Sequence, residues 1–116
     1  MMIPGVPYDE DLANRIRELI AGEPDVSERS MFGGLVFLVG GRMSVAAGAQ
    51  GSLVVRVDPE DTDKLLAKPH ARPFVMGGRP MEGRVRIDAE GVRTKRQLER
   101  WVRLSVVYAR SIPPKR

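Results

Sequence analysis

The sequence predicts an α+β domain: a largely antiparallel, five-stranded sheet with packed helices, in the order α-β-β-β-α-β-β-α. Three observations carry the prediction. Short apolar runs are punctuated by glycine pairs, Gly40-Gly41 and Gly77-Gly78, which suit tight hairpin turns because positive φ costs glycine little. Apolar residues near both ends of the chain recur at helical rather than strand spacing. Between the hairpins, Asp58-Pro59-Glu60-Asp61 combines a cap, a proline at the first helical position and acids in the first turn, which starts a helix between those two. Strands joined by such short turns run antiparallel, and helices must then bury one face of the sheet.

The chain has 116 residues, enough for one domain with a real core over residues 1–116. Residues 1–8, with Pro4, Gly5 and Pro7, read as an irregular lead-in. Asp9 is a good N-cap, followed by Glu10 and Asp11, and Leu12, Ile16, Leu19 and Ile20 form one apolar helix face. Gly22 is the expected C-cap. Leu35 to Val39 is apolar at every position, so both of its faces should be covered. Met43 to Ala47 pairs back across Gly40-Gly41, and a turn over 48–51 leads to Leu53–Val57, whose Leu53, Val55 and Val57 point to the core.

The second helix carries Leu65 and Leu66 and ends before Pro69. Arg72 to Met76 contains Pro73 and belongs near a sheet edge. Gly83 to Asp88 alternates, with Val85 and Ile87 inward and Arg84 and Arg86 outward. Thr94-Lys95-Arg96-Gln97 is a capping box, and the helix it opens places Leu98, Trp101, Val102, Ser105, Val106 and Ala109 along one face. Residues 111–116 form a basic tail after that helix.

Composition narrows the function classes. Cysteine is absent, which rules out disulfides and thiolate metal sites and fits a reducing, cytoplasmic setting. No apolar run approaches the roughly 20 residues that span a bilayer, and no secretory signal is visible, so no membrane partner is expected. Net charge is +4 but unevenly spread. Residues 1–92 hold 11 Lys/Arg against 14 Asp/Glu, whereas residues 93–116 hold eight against Glu99 alone.

The motif Arg29-Ser30-Met31-Phe32-Gly33-Gly34 leads into the first apolar strand. With Lys68-Pro69-His70-Ala71-Arg72-Pro73, Gly78-Arg79-Pro80-Met81 followed by Gly83, and the closing helix with Trp101 ahead of Pro113-Pro114, it resembles the TfoX (Sxy) N-terminal domain family, from Tyr8 to about Pro114. The resemblance implies a small α+β domain. Its best-known members look like regulators of bacterial natural competence, acting at promoters alongside the cyclic-AMP receptor protein and carrying a second, C-terminal domain. This chain resembles a free-standing, single-domain member. The resemblance brings no catalytic residues.

Each candidate site has a plain structural reading beside it. Gly33-Gly34 could hold an anion, but it lacks the lysine and following helix of a phosphate loop, and a close backbone approach explains it better. Met31 and Phe32 read as core. His70 has no partner nucleophile or carboxylate legible from spacing and reads as a loop-shaping residue. Asp58, Glu60, Asp61 and Asp63 lack the glycine and distal glutamate of a calcium loop. No catalytic residue, cofactor or metal site is therefore expected.

Two surfaces remain. Val36, Leu38, Val54, Arg56, Arg84 and Arg86 should share the outer face of the sheet, a plausible surface for a protein partner, including a second copy of this chain. The alternative is that a helix covers the apolar part and local acids pair the arginines. Arg96, Arg100 and Arg103 share one face of the last helix and are the candidate nucleic-acid contacts, with phosphate binding that weakens as salt rises. A solvated basic helix face is the simpler explanation, since basic surface helices are common and the aromatic interleaving expected for single-strand stacking is missing. The leading expectation is a non-enzymatic regulatory or protein-interaction module. The alternative is a weak, non-specific nucleic-acid binder, and an enzyme fits least.

Overall fold

A computed structural model describes residues 8–31 and 33–112. The expected lead-in over 1–7, the core assignment of Phe32, and Pro113, Pro114, Lys115 and Arg116 of the tail lie outside the described residues.

Asp9 caps α1 (Glu10–Leu19) by accepting the Leu12 backbone N–H at 3.0 Å, as its position predicts. The helix stops at the C-cap Ile20, before Gly22. The chain then turns through Asp25, whose φ of 58° is rare outside glycine, Asn and Asp, and enters β1 (Val26–Met31). This strand is the correction to the expected count: the sheet has six strands, in the spatial order β1-β2-β3-β4-β6-β5. Its middle, Ser27 to Ser30, is exposed, so β1 is held by its ladder with the neighbouring strand and by its two half-buried ends, Val26 and Met31. Charge on an exposed edge also discourages further strand pairing.

The remaining strands are β2 (Gly34–Val39), β3 (Arg42–Ala47), β4 (Leu53–Arg56), β5 (Ala71–Met76) and β6 (Arg79–Ile87). Every adjacent pair is antiparallel. β5 is the other edge, where Pro73 is tolerated. At the start of β2, a Cβ on Gly34 would lie 2.7 Å from the Ala47 carbonyl oxygen, so only glycine lets these two backbones meet without displacement. Asp58 accepts the Glu60 N–H and opens a short 3-10 turn into α2 (Thr62–Leu66). The capping box of α3 (Lys95–Ser111) is complete: Gln97 N–H donates to Thr94 Oγ1, and the Thr94 N–H donates to the Gln97 side chain.

Strand alternation divides the sheet into two faces. On the inner face, Leu35, Phe37, Val39, Val45, Leu53, Val55, Val85 and Ile87 pack with Leu12 and Ile16 of α1, Leu65 of α2, and Leu98, Trp101 and Val102 of α3. On the outer face, Val36, Ala46 and Val54 form a separate small cluster, flanked only by Met31, Leu38, Met43 and Phe74. Among the described residues, no helix side chain joins that cluster.

One irregularity matters for both faces. Phe37 pairs with Val45 but Leu38 pairs with Met43, so Ser44 is an extra residue, a β-bulge. It turns Ser44 toward α3, where its hydroxyl lies 3.0 Å from that of Ser105, both fully buried. The Ser105 hydroxyl donates to the Ser44 carbonyl, which leaves the Ser44 hydroxyl to donate to Ser105.

Candidate functional site

The bulge at Ser44 and the pleat of the flanking strands set what the outer face displays. Val36, Leu38 and Val54 lie on it as the alternation of their strands requires, with Arg84 and Arg86 beside them on β6. Together they line a groove of about 560 Å³. Its apolar walls are completed by Met31, Met43, Met76, Met81 and Phe74. The sequence holds six methionines, and the four beyond the N-terminal pair all line this one groove.

The electrostatics of the groove are one-sided, because no Asp or Glu lines it. The Arg86 Nε is buried and has no hydrogen-bond acceptor. Burial is the main reason that the Arg84 pKa is lowered from the ordinary guanidinium value, and the neighbouring Arg56 cation adds to it. Two guanidiniums thus stand at the edge of an apolar cleft whose lining holds no carboxylate, with Asp88 outside it the acid whose charge reaches Arg86, an arrangement that favours an incoming anion. Arg56 itself does not line the groove; its guanidinium lies 6.0 Å from the ring centre of Tyr108 on α3, within cation–π range.

The second candidate surface is less simply basic than the sequence suggested. Arg96, Arg100 and Arg103 do share one side of α3, and they line a hollow of about 680 Å³ between α3 and the segment running from β4 into α2. Asp58, Asp61 and Glu99 line the same hollow, and Arg103 is ion-paired with Glu99 at 3.2 Å.

The other singled-out residues do not converge on a site. His70 is exposed and sits at φ 67° in the turn before β5, where its carbonyl accepts the Asp88 N–H at 3.0 Å. Asp58 and its neighbours serve the start of α2. Among the described residues, no group of three or more His, Asp or Glu side chains could share a metal ion. No helix among them is long and apolar enough to cross a membrane.

The model of the TfoX N-terminal domain family matches residues 18–109, from the last turn of α1 almost to the end of α3. The chain belongs to the TfoX N-terminal domain family. The match spans the whole sheet, so the outer groove and the α3 hollow are parts of the TfoX domain itself. As the motif resemblance implied, membership groups the chain with competence-regulator-like modules. Neither the curated proteins nor the solved structures provide a match.

Of the six residues that the sequence put on the outer face, the structure brings five into the lining of this groove and leaves out Arg56, and the methionines were missed. Met31 lies on the strand that polar residues concealed. Met43 and Ala46, three residues apart, share a face only because Ser44 is bulged. A bulge leaves no periodic trace in one sequence. The available signal was the clustering of methionine near glycine pairs at Met31, Met43, Met76 and Met81.

Proposed function

We propose that this TfoX N-terminal domain is a non-enzymatic regulatory module that docks a segment of another protein on the outer face of its sheet. The observation that carries this reading is the methionine-lined groove, open to solvent and edged by Arg84 and Arg86 without a carboxylate in its lining. Methionine side chains adapt to irregular apolar surfaces, and arginine, methionine and aromatic residues are enriched at interfaces. The complementary occupant is a stretch of protein with apolar side chains beside one or two Asp or Glu residues. The apolar groups would fill the cleft and the carboxylates would answer the guanidiniums.

Selection of displayed peptides against the full chain tests this directly. The expected result is enrichment of apolar sequences flanked by acids, with affinity lost by at least about tenfold on the paired change Arg84→Glu and Arg86→Glu, a cost near 1.4 kcal/mol. Enrichment of basic sequences, or affinities indifferent to the double charge reversal, would overturn the proposal.

A further inference from the structure

Leu104 and Val107 are two of the three large apolar residues exposed among the described residues, at 39% and 63%. They lie one turn apart on α3 and form part of the 680 Å³ hollow, whose floor also includes Leu65. The inner core does not need them: α3 already buries Leu98, Trp101, Val102, Ser105, Val106 and Ala109 toward the sheet. Among the described residues, this apolar pair on the far side of the helix joins neither apolar cluster.

The charges around the pair are arranged along the helix. Arg96 and Arg100 lie on its N-terminal half. The acids Asp58 and Asp61 line the hollow on its opposite wall, next to the C-terminal half. Their place is fixed by Arg56, two residues before Asp58, whose guanidinium sits over Tyr108. Leu65 lies further toward the N-terminal half, since it also lines the neighbouring hollow with Arg100 and Trp101. One end of the surface therefore carries Arg96 and Arg100, with Glu99 among them taken up by Arg103, and the other carries Asp58 and Asp61, with Leu104 between the two ends.

We infer that this face of α3 packs against the same face of a second copy of the chain, with the two α3 helices antiparallel across a two-fold axis near Leu104. A two-fold axis places the same patch on both partners, so a surface serves only if it complements itself. This one does. At about 1.5 Å rise per residue, Arg100 lies about 6 Å on one side of Leu104 and Tyr108 about 6 Å on the other. The antiparallel arrangement brings Arg96 and Arg100 of each copy level with the end of its partner where Asp58 and Asp61 lie. Leu104 and Val107 pack across the axis. Antiparallel helix dipoles also attract, whereas parallel ones would repel. The ridge carrying Leu104 and Val107 stands beside the hollow that would receive its counterpart, the usual way in which helices interlock. None of the residues that line this surface lines the methionine groove, so the inference does not depend on what the groove binds.

Sedimentation equilibrium of the full chain, from low micromolar to millimolar concentration, is the test. The inference expects a concentration-dependent dimer. Val107→Glu should weaken it by at least about tenfold. Because that side chain is largely exposed, the variant should keep the thermal melt of the parent chain. Arg100→Asp should weaken the dimer as well, and adding Asp61→Arg to it should restore association, since the charges then attract with signs exchanged. Three outcomes would overturn the inference. One is a strictly monomeric parent chain at millimolar concentration. Another is a dimer dissolved by Arg84→Glu and Arg86→Glu but not by Val107→Glu, which places self-association on the sheet face. The third is an unchanged sedimentation profile for Arg100→Asp together with loss of salt-sensitive binding to a labelled DNA duplex, which makes α3 a nucleic-acid surface instead.

Discussion

The two faces of the sheet are built from the same strands, yet they are packed in different ways. The inner face uses Val, Ile, Leu and Phe under α1, α2 and α3, and Phe37, Leu53, Val55, Val85 and Ile87 are completely buried there. The outer face buries only Val36, Ala46 and Val54, and four methionines and Phe74 surround them. β-Branched residues have few rotamers and pack one way, whereas methionine has three flexible bonds and repacks readily. One face therefore fixes the fold, and the other stays adaptable. The difference teaches that apolar alternation on a strand identifies a face to be buried, not what buries it.

The contrast predicts its largest effect at Phe37, the bulkiest completely buried side chain of the core. Phe37→Ala leaves a cavity between the sheet and the helices and should cost about 3–5 kcal/mol. A loss of that size is a large share of the stability of an ordinary domain. Urea denaturation gives the value, and a cost near 1 kcal/mol would mean that the helical layer closes over the gap.

Val54→Ala is the matching change on the outer face and sharpens the comparison. Val54 is 5% exposed, but what shields it is the rim of a groove rather than a second layer. Removing its two methyl groups should cost at most about 1.5 kcal/mol, and less if the methionines move in to fill the space. The same denaturation experiment reads it. A loss as large as that at Phe37 would erase the distinction between the faces.

How much of this was legible depended on what each element relies on. The helix starts could be read because capping is local chemistry: Asp9, Asp58 and Thr94 each accept a backbone N–H two or three residues ahead. The buried strands could be read because apolar alternation survives in β4 and β6. β1 could not, since Ser27, Glu28, Arg29 and Ser30 are exposed and the strand exists through its pairing with Val39 to Gly34 across the ladder. The outer-face arginines followed from alternation. The missing cover over that face did not, because which side the helices choose is decided by the whole packing. Of the acids that share the α3 hollow with Arg100, Glu99 is its neighbour on the helix, but Asp58 and Asp61 come from a distant turn and could not be seen along the helix itself.

The smallest predicted effect lies where the inner layer reaches the edge strand. Arg17 of α1 holds Glu28 of β1 by two hydrogen bonds of 2.7 Å, and it also donates to Asn14. The bonds from Arg17 hold the Glu28 carboxyl below the usual glutamate pKa, with partial burial opposing the shift. A carboxyl whose pKa is lower in the folded state contributes stability above its unfolded pKa, about 4.3, and loses it as pH falls through the folded value. Both side chains are more than a third exposed, so solvent screening limits the pair to at most about 1 kcal/mol. Arg17→Ala should therefore lower the urea midpoint slightly at neutral pH, and that difference should shrink once the pH falls well below about 4. An equal loss at both pH values would assign the contribution of Arg17 to the packing of its aliphatic stem instead of its charge. The edge strand would then be held by its backbone ladder and by the packing of Val26, Met31 and the Arg17 stem, with no contribution from the charge pair.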